Sequence, residues 1–198
     1  MEPRNAMTVV LDQIDVWWMW FRRRVEGLTE DEYLWEPAAG CWSVRRRDDG
    51  RFSYDPWPDP FWPPPEPPPV TTIAWRMVHM IAGPTGRLVK YGFERAPDAP
   101  APQYDGWPET PTFDPADVAG TPGAAMDALT NTFGRWRDAC AAIADDRAWE
   151  ALGDREGIDV MKLGENDPFL NVVQHVNREY IHHGAEIALL RDLYAARS

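Results

Sequence analysis

Apolar residues recur at helical spacing in four long stretches of the chain. Between about Asn5 and Glu26, Met7, Leu11, Ile14, Trp18, Phe21 and Val25 alternate steps of four and three, which places them on one helical face. Gly27 ends that helix. Thr29 with Glu32 forms a capping-box pattern for a short helix, Thr-Glu-Asp-Glu-Tyr-Leu, before Pro37 to Gly40 breaks the chain. Thr71 and Thr72 start a second long helix that runs to about Tyr91, with a bend expected at Gly83-Pro84. A third covers about Thr121 to Ala144 and carries Met126, Leu129, Phe133, Trp136 and Ile143. The fourth starts near Asp167-Pro168, where Asp caps and Pro fits the first turn, and reaches about Ala196. Residues from Trp149 to Asp167 hold several glycines and read as a loop with room for a short hairpin or turn. No stretch shows convincing strand alternation, and there is no internal repeat. The pattern predicts an all-α protein, a four-helix bundle forming a single domain over residues 1–198. The long second connection allows a crossover, but periodicity does not order the helices around the bundle.

The connections are rich in proline. From Cys41 to Val70 the sequence resists regular structure, and nine of the twenty prolines fall between Pro56 and Pro69. Proline lacks an amide donor and fixes φ, so this stretch is expected to be extended or polyproline-like. It also carries Tyr54, Trp57, Phe61 and Trp62, so packing as a crossover against the bundle is favoured over a partner-binding motif. A second proline-rich loop spans Ala96 to Pro115.

Composition narrows the function classes. Of 198 residues, 44% are apolar, enough for a packed core. Eleven tryptophans imply aromatic-rich packing or an aromatic-walled cleft. A net charge of −12 repels phosphate backbones, and Arg45-Arg46-Arg47 is followed at once by Asp48-Asp49, so no nucleic-acid partner is expected. Cys41 and Cys140 are too few for a disulfide scaffold and form no CxxC pair; both read as thiols in a reducing cytosol. Neither a signal-peptide segment nor a run of about 20 apolar residues is present, so a cytoplasmic protein with no membrane partner is expected.

The last helix departs from an apolar seam in a telling way. Val172, Val176, Glu179, His183, Glu186 and Leu190 follow steps of 4, 3, 4, 3 and 4, which faces the seam toward the core. Glu179 and His183 are one turn apart and can reach one ion. A buried carboxylate without a partner is costly, and a metal ion would offset that cost. The chain has only four histidines: His79, His175, His182 and His183. His79 lies in an apolar run of the second helix, where it reads either as a core histidine or as the ligand from a facing helix that a bundle-core metal site needs. Glu179 could instead pair with Arg178 or a distant arginine. His182 points about 100° away from His183, toward the surface or the periphery of a site. His175, one turn before Glu179, reads as a fourth ligand, a hydrogen-bond partner or a proton carrier; supporting a ligand is the favoured role.

These residues resemble the DinB superfamily, which includes the mycothiol-dependent maleylpyruvate isomerases and bacillithiol transferases. The family's last helix carries His-x-x-x-His followed by a pattern like Arg-Gly-Gln-Ile. Here His183-Gly184-Ala185-Glu186-Ile187 is similar to the second His and its tail, while Glu179 stands where many relatives have His. The maleylpyruvate isomerase branch, with its His, Glu, His set, is closer. Gly40-Cys41-Trp42-Ser43-Val44-Arg45 is similar to the family's Trp-Ser segment, and His79 to its second-helix ligand. The tail from Asn177 to Ile187 resembles an actinobacterial-type subgroup. The resemblance runs from the first helix to the end. It implies a DinB-type four-helix bundle holding one divalent ion, zinc or nickel, at His79, Glu179 and His183. The extra carboxylate favours a harder or borderline ion such as Zn²⁺.

Three protein ligands leave positions open, as catalytic sites do. An ion there lowers the pKa of a coordinated thiol or water. The resemblance implies the thiol version: a metal-dependent S-transferase or isomerase with mycothiol as cosubstrate and a small-molecule electrophile as substrate. His175 or Tyr180 would shuttle protons, and Arg45 and Arg76 would hold a substrate carboxylate. Two other readings stay open at this point, a metal-water hydrolase on the same site and a non-enzymatic metal-binding, stress-related protein. A homodimer is compatible with such bundles.

Overall fold

The computed structural model describes residues 5–55, 65–90, 118–153 and 162–197. Helix α1 spans Ala6–Val25, with the Asn5 Oδ1 accepting from the Thr8 amide at 2.7 Å. Its buried residues, Met7, Leu11, Ile14, Phe21 and Val25, are the predicted seam except Trp18, which is half-buried against the core. Helix α2, Glu30–Tyr33, opens with the expected capping box: Glu32 N donates to Thr29 Oγ1 at 3.2 Å, and Thr29 N to Glu32 Oε2 at 3.0 Å. The same Glu32 accepts from Arg191 Nε at 3.1 Å. Arg191 also donates to the carbonyls of Arg24 and Glu26, at 2.6 and 3.0 Å, which satisfies otherwise orphaned acceptors at the end of α1.

The stretch after Cys41 was expected to lack regular structure. It instead forms an antiparallel hairpin, β1 (Val44–Arg46) with β2 (Phe52–Tyr54), in the register Val44 to Tyr54 and Arg46 to Phe52. Each strand is three residues long, and β1 buries only Val44, so period-two alternation is too short to register. Gly50, at φ +83°, supplies the left-handed turn. Trp42 bridges in parallel to Thr71, with Trp42 N on the Val70 carbonyl and Thr72 N on the Trp42 carbonyl, both at 3.0 Å. Ser43 and Thr72 hydroxyls meet at 3.0 Å in the interior. These bonds tie the hairpin to the start of α3, Ile73–Lys90, which continues through Pro84. Tyr54 packs on the core edge, whereas Trp57, Phe61, Trp62 and the second proline-rich loop lie outside the described residues.

Helix α4 covers Pro122–Ala141, capped by Thr121 with Pro122 in its first turn; the chain then breaks before the short α5, Asp145–Ala148, so the third helix is shorter than expected. Helix α6, Leu170–Ala196, starts two residues later than predicted. Asp167 does not cap it. Its carboxylate accepts from the Gly164 amide at 2.6 Å and its carbonyl from Leu152 N at 2.9 Å, and Ala151 bridges antiparallel to Pro168.

Helix packing supplies the order that periodicity left open. α1 packs on α4 and α6, and α3 packs on the same two helices, so α1 faces α3 and α4 faces α6 across the bundle. The core contains Ile14, Met77, Leu129, Trp136, Val172 and Ile187, each essentially inaccessible. Trp136 Nε1 donates to Asn177 Oδ1 at 3.2 Å across the interior, which satisfies the indole. α1 and α6 run in the same direction: Asn177 Nδ2 meets the Val10 carbonyl, Trp17 lies against Gly184, and Arg24 donates to the Ala188 carbonyl. α3 and α6 are antiparallel, Arg76 facing Glu186 and His79 facing Glu179. Cys41 and Cys140 are buried free thiols. No helix among the described residues is long and apolar enough to cross a membrane.

Gly184 is a position where a side chain has no room. A Cβ there would lie 2.7 Å from Trp17 Cζ2 and 2.9 Å from Nε1. Gly184→Ala should force α1 and α6 apart and destabilise the fold by about 1–3 kcal/mol. Urea unfolding measures this; a midpoint equal to wild type would mean that Trp17 yields freely.

Candidate metal centre

The site lies between α3 and α6. His79 is placed from below by aromatic packing: its ring stacks on Trp75, one turn earlier, at 5.4 Å and 8° between planes. Trp75 is fixed in turn by its indole N–H, which donates to the Asp55 carbonyl at 2.8 Å just beyond β2. The hairpin therefore sets the tryptophan, and the tryptophan sets the histidine. From α6, Glu179 and His183 project one turn apart, as their spacing predicts.

These three side chains converge. Glu179 Oε2 is 3.2 Å from His183 Nε2 and 3.7 Å from His79 Nε2, and one donor atom from each residue lies within 4.8 Å of the others. Ligands about 2.1 Å from a tetrahedral ion stand roughly 3.4 Å apart, so both carboxylate distances match the edge of such a polyhedron. The two imidazoles meet edge to face, with centroids 4.7 Å apart. His183 is buried, with 7% of its side chain exposed, while His79 and Glu179 keep 21% and 30%. The set is thus deep on one side and open on the other.

The electrostatics suit a cation. Burial pushes the His79 imidazole down to about 4, which keeps it neutral with a lone pair to offer. Burial works against charge on Glu179 as well, but the His183 and His79 imidazoles beside it outweigh that and hold the carboxyl well below the usual carboxylate range. For His183, burial lowers the pKa and bonds to Glu179 and Glu186 raise it, with a net rise. Two imidazoles and an ionised carboxylate are therefore a chemically suitable donor set for a divalent ion.

The remaining predicted residues are placed unevenly. His175 Nε2 lies 3.9 Å from the outer Glu179 oxygen, and its Nδ1 meets Arg178 at 2.6 Å, so it borders the triad. Tyr180 does not fit the proton-shuttle expectation. It is 1% exposed and packs on Trp17 and Phe133, and its hydroxyl has no hydrogen-bond partner among the described residues. Burial, and then the neighbouring Cys140, push that phenol well above its ordinary value. Arg45 is bound to Glu36, Asp55 and the Cys41 carbonyl and makes no described contact with the triad; it clamps the hairpin. Arg76 does reach the site, but its Nε pairs with Glu186 at 2.9 Å. His182 is 63% exposed and 3.4 Å from Glu186. His182, His183 and Glu186 also lie close enough together to hold an ion, but the Arg76 guanidinium, 3.4 Å from His183 Nδ1, already supplies a cation there. Sequence reasoning gave Glu186 no role, although its place on the core seam, three residues after His183, was a usable signal.

Fold and site together define a helical bundle with a candidate His/Glu metal centre in its core. A family comparison matches the DinB superfamily over residues 13–187, and the chain belongs to that superfamily. No curated protein and no solved structure matches it.

The buried neutral imidazole has a consequence for the metal-free protein. His79 has a folded pKa below its unfolded value, so the unfolded chain binds more protons between them. Its contribution is present above about 6.5 and is lost as pH falls toward about 4. The raised pKa of His183 acts oppositely, losing stability as pH rises. In His79→Gln, the acid-side loss between these values should shrink by on the order of 2 kcal/mol. Urea unfolding of metal-free protein across that range measures it; an identical pH profile in variant and wild type would remove His79 as the cause.

Proposed function

We propose that this chain is a divalent-metal-dependent enzyme that uses a low-molecular-weight thiol, mycothiol, to transfer to or isomerise a small electrophile. The observation that carries this reading is the three-donor set His79, Glu179 and His183, open on one side, within a DinB-type bundle. His79, Glu179 and His183 would hold the ion; zinc suits two imidazoles and a carboxylate, and nickel accepts the same donors. Such an ion supplies Lewis acidity that favours the deprotonated form of a thiol bound to it.

The protein's own residues account for the rest. Trp75 walls the site beneath His79 and excludes water from that side. Glu179 is the donor set's one anion, which leaves a divalent ion undercompensated and favours an anionic fourth ligand such as a thiolate. His175, whose Nε2 lies 3.9 Å from the outer Glu179 oxygen, would be the residue that accepts and returns a proton.

Two measurements test the reading. Elemental analysis should find one zinc or nickel per chain in wild type and a loss of at least about tenfold in metal affinity in Glu179→Ala. Metal-loaded protein given mycothiol and monochlorobimane should form the conjugate, with turnover abolished in His183→Ala. Equal turnover in that variant would exclude the site as the source of activity.

A further inference from the structure

The geometry points to Glu186 as a positioning residue that fixes which nitrogen of His183 faces the ion, with Arg76 holding Glu186 in place. The inference rests on the metal reading above and extends it to two residues that touch no ion.

A neutral imidazole carries one N–H and one lone pair. His183 Nδ1 lies 2.7 Å from Glu186 Oε2. Ionised carboxylates only accept, and two flank the ring: Glu186 at 2.7 Å from Nδ1 and Glu179 at 3.2 Å from Nε2. The shorter contact, and the convergence of Nε2 with the other donors, assign the proton to Nδ1 when an ion is held, in a charge-assisted bond to Glu186. That leaves Nε2 as the nitrogen directed at Glu179 and His79, where the donor atoms converge. A carboxylate behind a ligating histidine sets its tautomer and ring orientation and raises its basicity. Without Glu186, either nitrogen could carry the proton.

Glu186 needs its own restraint, because a carboxylate with 30% of its side chain exposed can swing away. Arg76 supplies it from the opposite helix, with Nε 2.9 Å from Glu186 Oε2 and the guanidinium over the Trp75 ring at 5.5 Å. Arg76 comes one turn before His79 on α3, and Glu186 follows His183 by three residues on α6. Since the helices are antiparallel, each contributes a ligand and, one turn away on the same face, a partner that orients a ligand. Arg76 also cancels the charge of Glu186. The carboxylate can then orient His183 without adding a second anion's worth of compensation to the ion.

The test uses zinc binding by full-length wild type, Glu186→Ala and Glu186→Gln, followed by chelator competition, with nitrogen NMR of the zinc-loaded His183 ring. Glu186→Ala should bind zinc about ten- to a hundredfold more weakly. Glu186→Gln keeps an oxygen that accepts from Nδ1–H and should recover most of that loss. The wild-type ring should be protonated at Nδ1 and metallated at Nε2. Thermal unfolding of the metal-free variants separates lost orientation from lost fold, and the isosteric Gln variant serves if the Ala variant does not fold. Unchanged affinity in Glu186→Ala, or zinc on Nδ1 in wild type, overturns the inference while leaving the triad intact. A wild type that binds no zinc overturns the metal reading itself.

Discussion

Glu179 stands partly buried between two imidazoles, and desolvating a carboxylate there is unfavourable unless positive or hydrogen-bonding groups meet it. The arrangement of α3 against α6 meets that requirement. His79 approaches from one helix and His183 from the other, and the antiparallel pairing brings Arg76 onto Glu186 one turn away. The polar cluster is therefore a seam between two helices as well as a candidate metal centre. The same residues that could hold an ion fix the register in which those helices pack.

The rest of the molecule supports that seam from two directions. On one side, α1 lies against α6 at close range because Gly184 leaves room for the Trp17 ring. Trp17 in turn stacks on Phe21 and tilts against Tyr180, so the helix carrying two of the three donors is held by an aromatic cluster. On the other side, the hairpin fixes Trp75 through the Asp55 carbonyl, and Trp75 carries the His79 ring. Arg191 closes the far end, joining α6 to the end of α1 and to the Glu32 cap. Each donor thus has a rigid support, which is what a site needs to hold an ion at short, directed distances.

By itself the chain's sequence determined the helices and their inward faces, since apolar spacing is a local property and the core simply collects it: the α1 seam, the Thr29–Glu32 box and the pairing of Glu179 with His183 across one turn were all legible. His183 fell on the seam of the last helix, with His182 about 100° off it, and the family resemblance selected His183 as the ligand. What only the tertiary structure decided involves residues far apart in the chain. The cyclic order α1, α4, α3, α6 depends on packing that no periodicity encodes. The hairpin escaped because three-residue strands give no alternation, and the start of α6 was misplaced because Asp167 accepts from the Gly164 and Leu152 amides and the Asn171 side chain rather than from a backbone amide of the helix's first turn. Tyr180, next to Glu179 in the chain, and Arg45, expected beside the cleft, read as site residues, yet one points into the core and the other into the hairpin. His79 could be read from the chain as a core histidine or a ligand; it became one of three converging donors only when α3 was laid antiparallel to α6, since distance to Glu179 is set by helix pairing and not by helix formation.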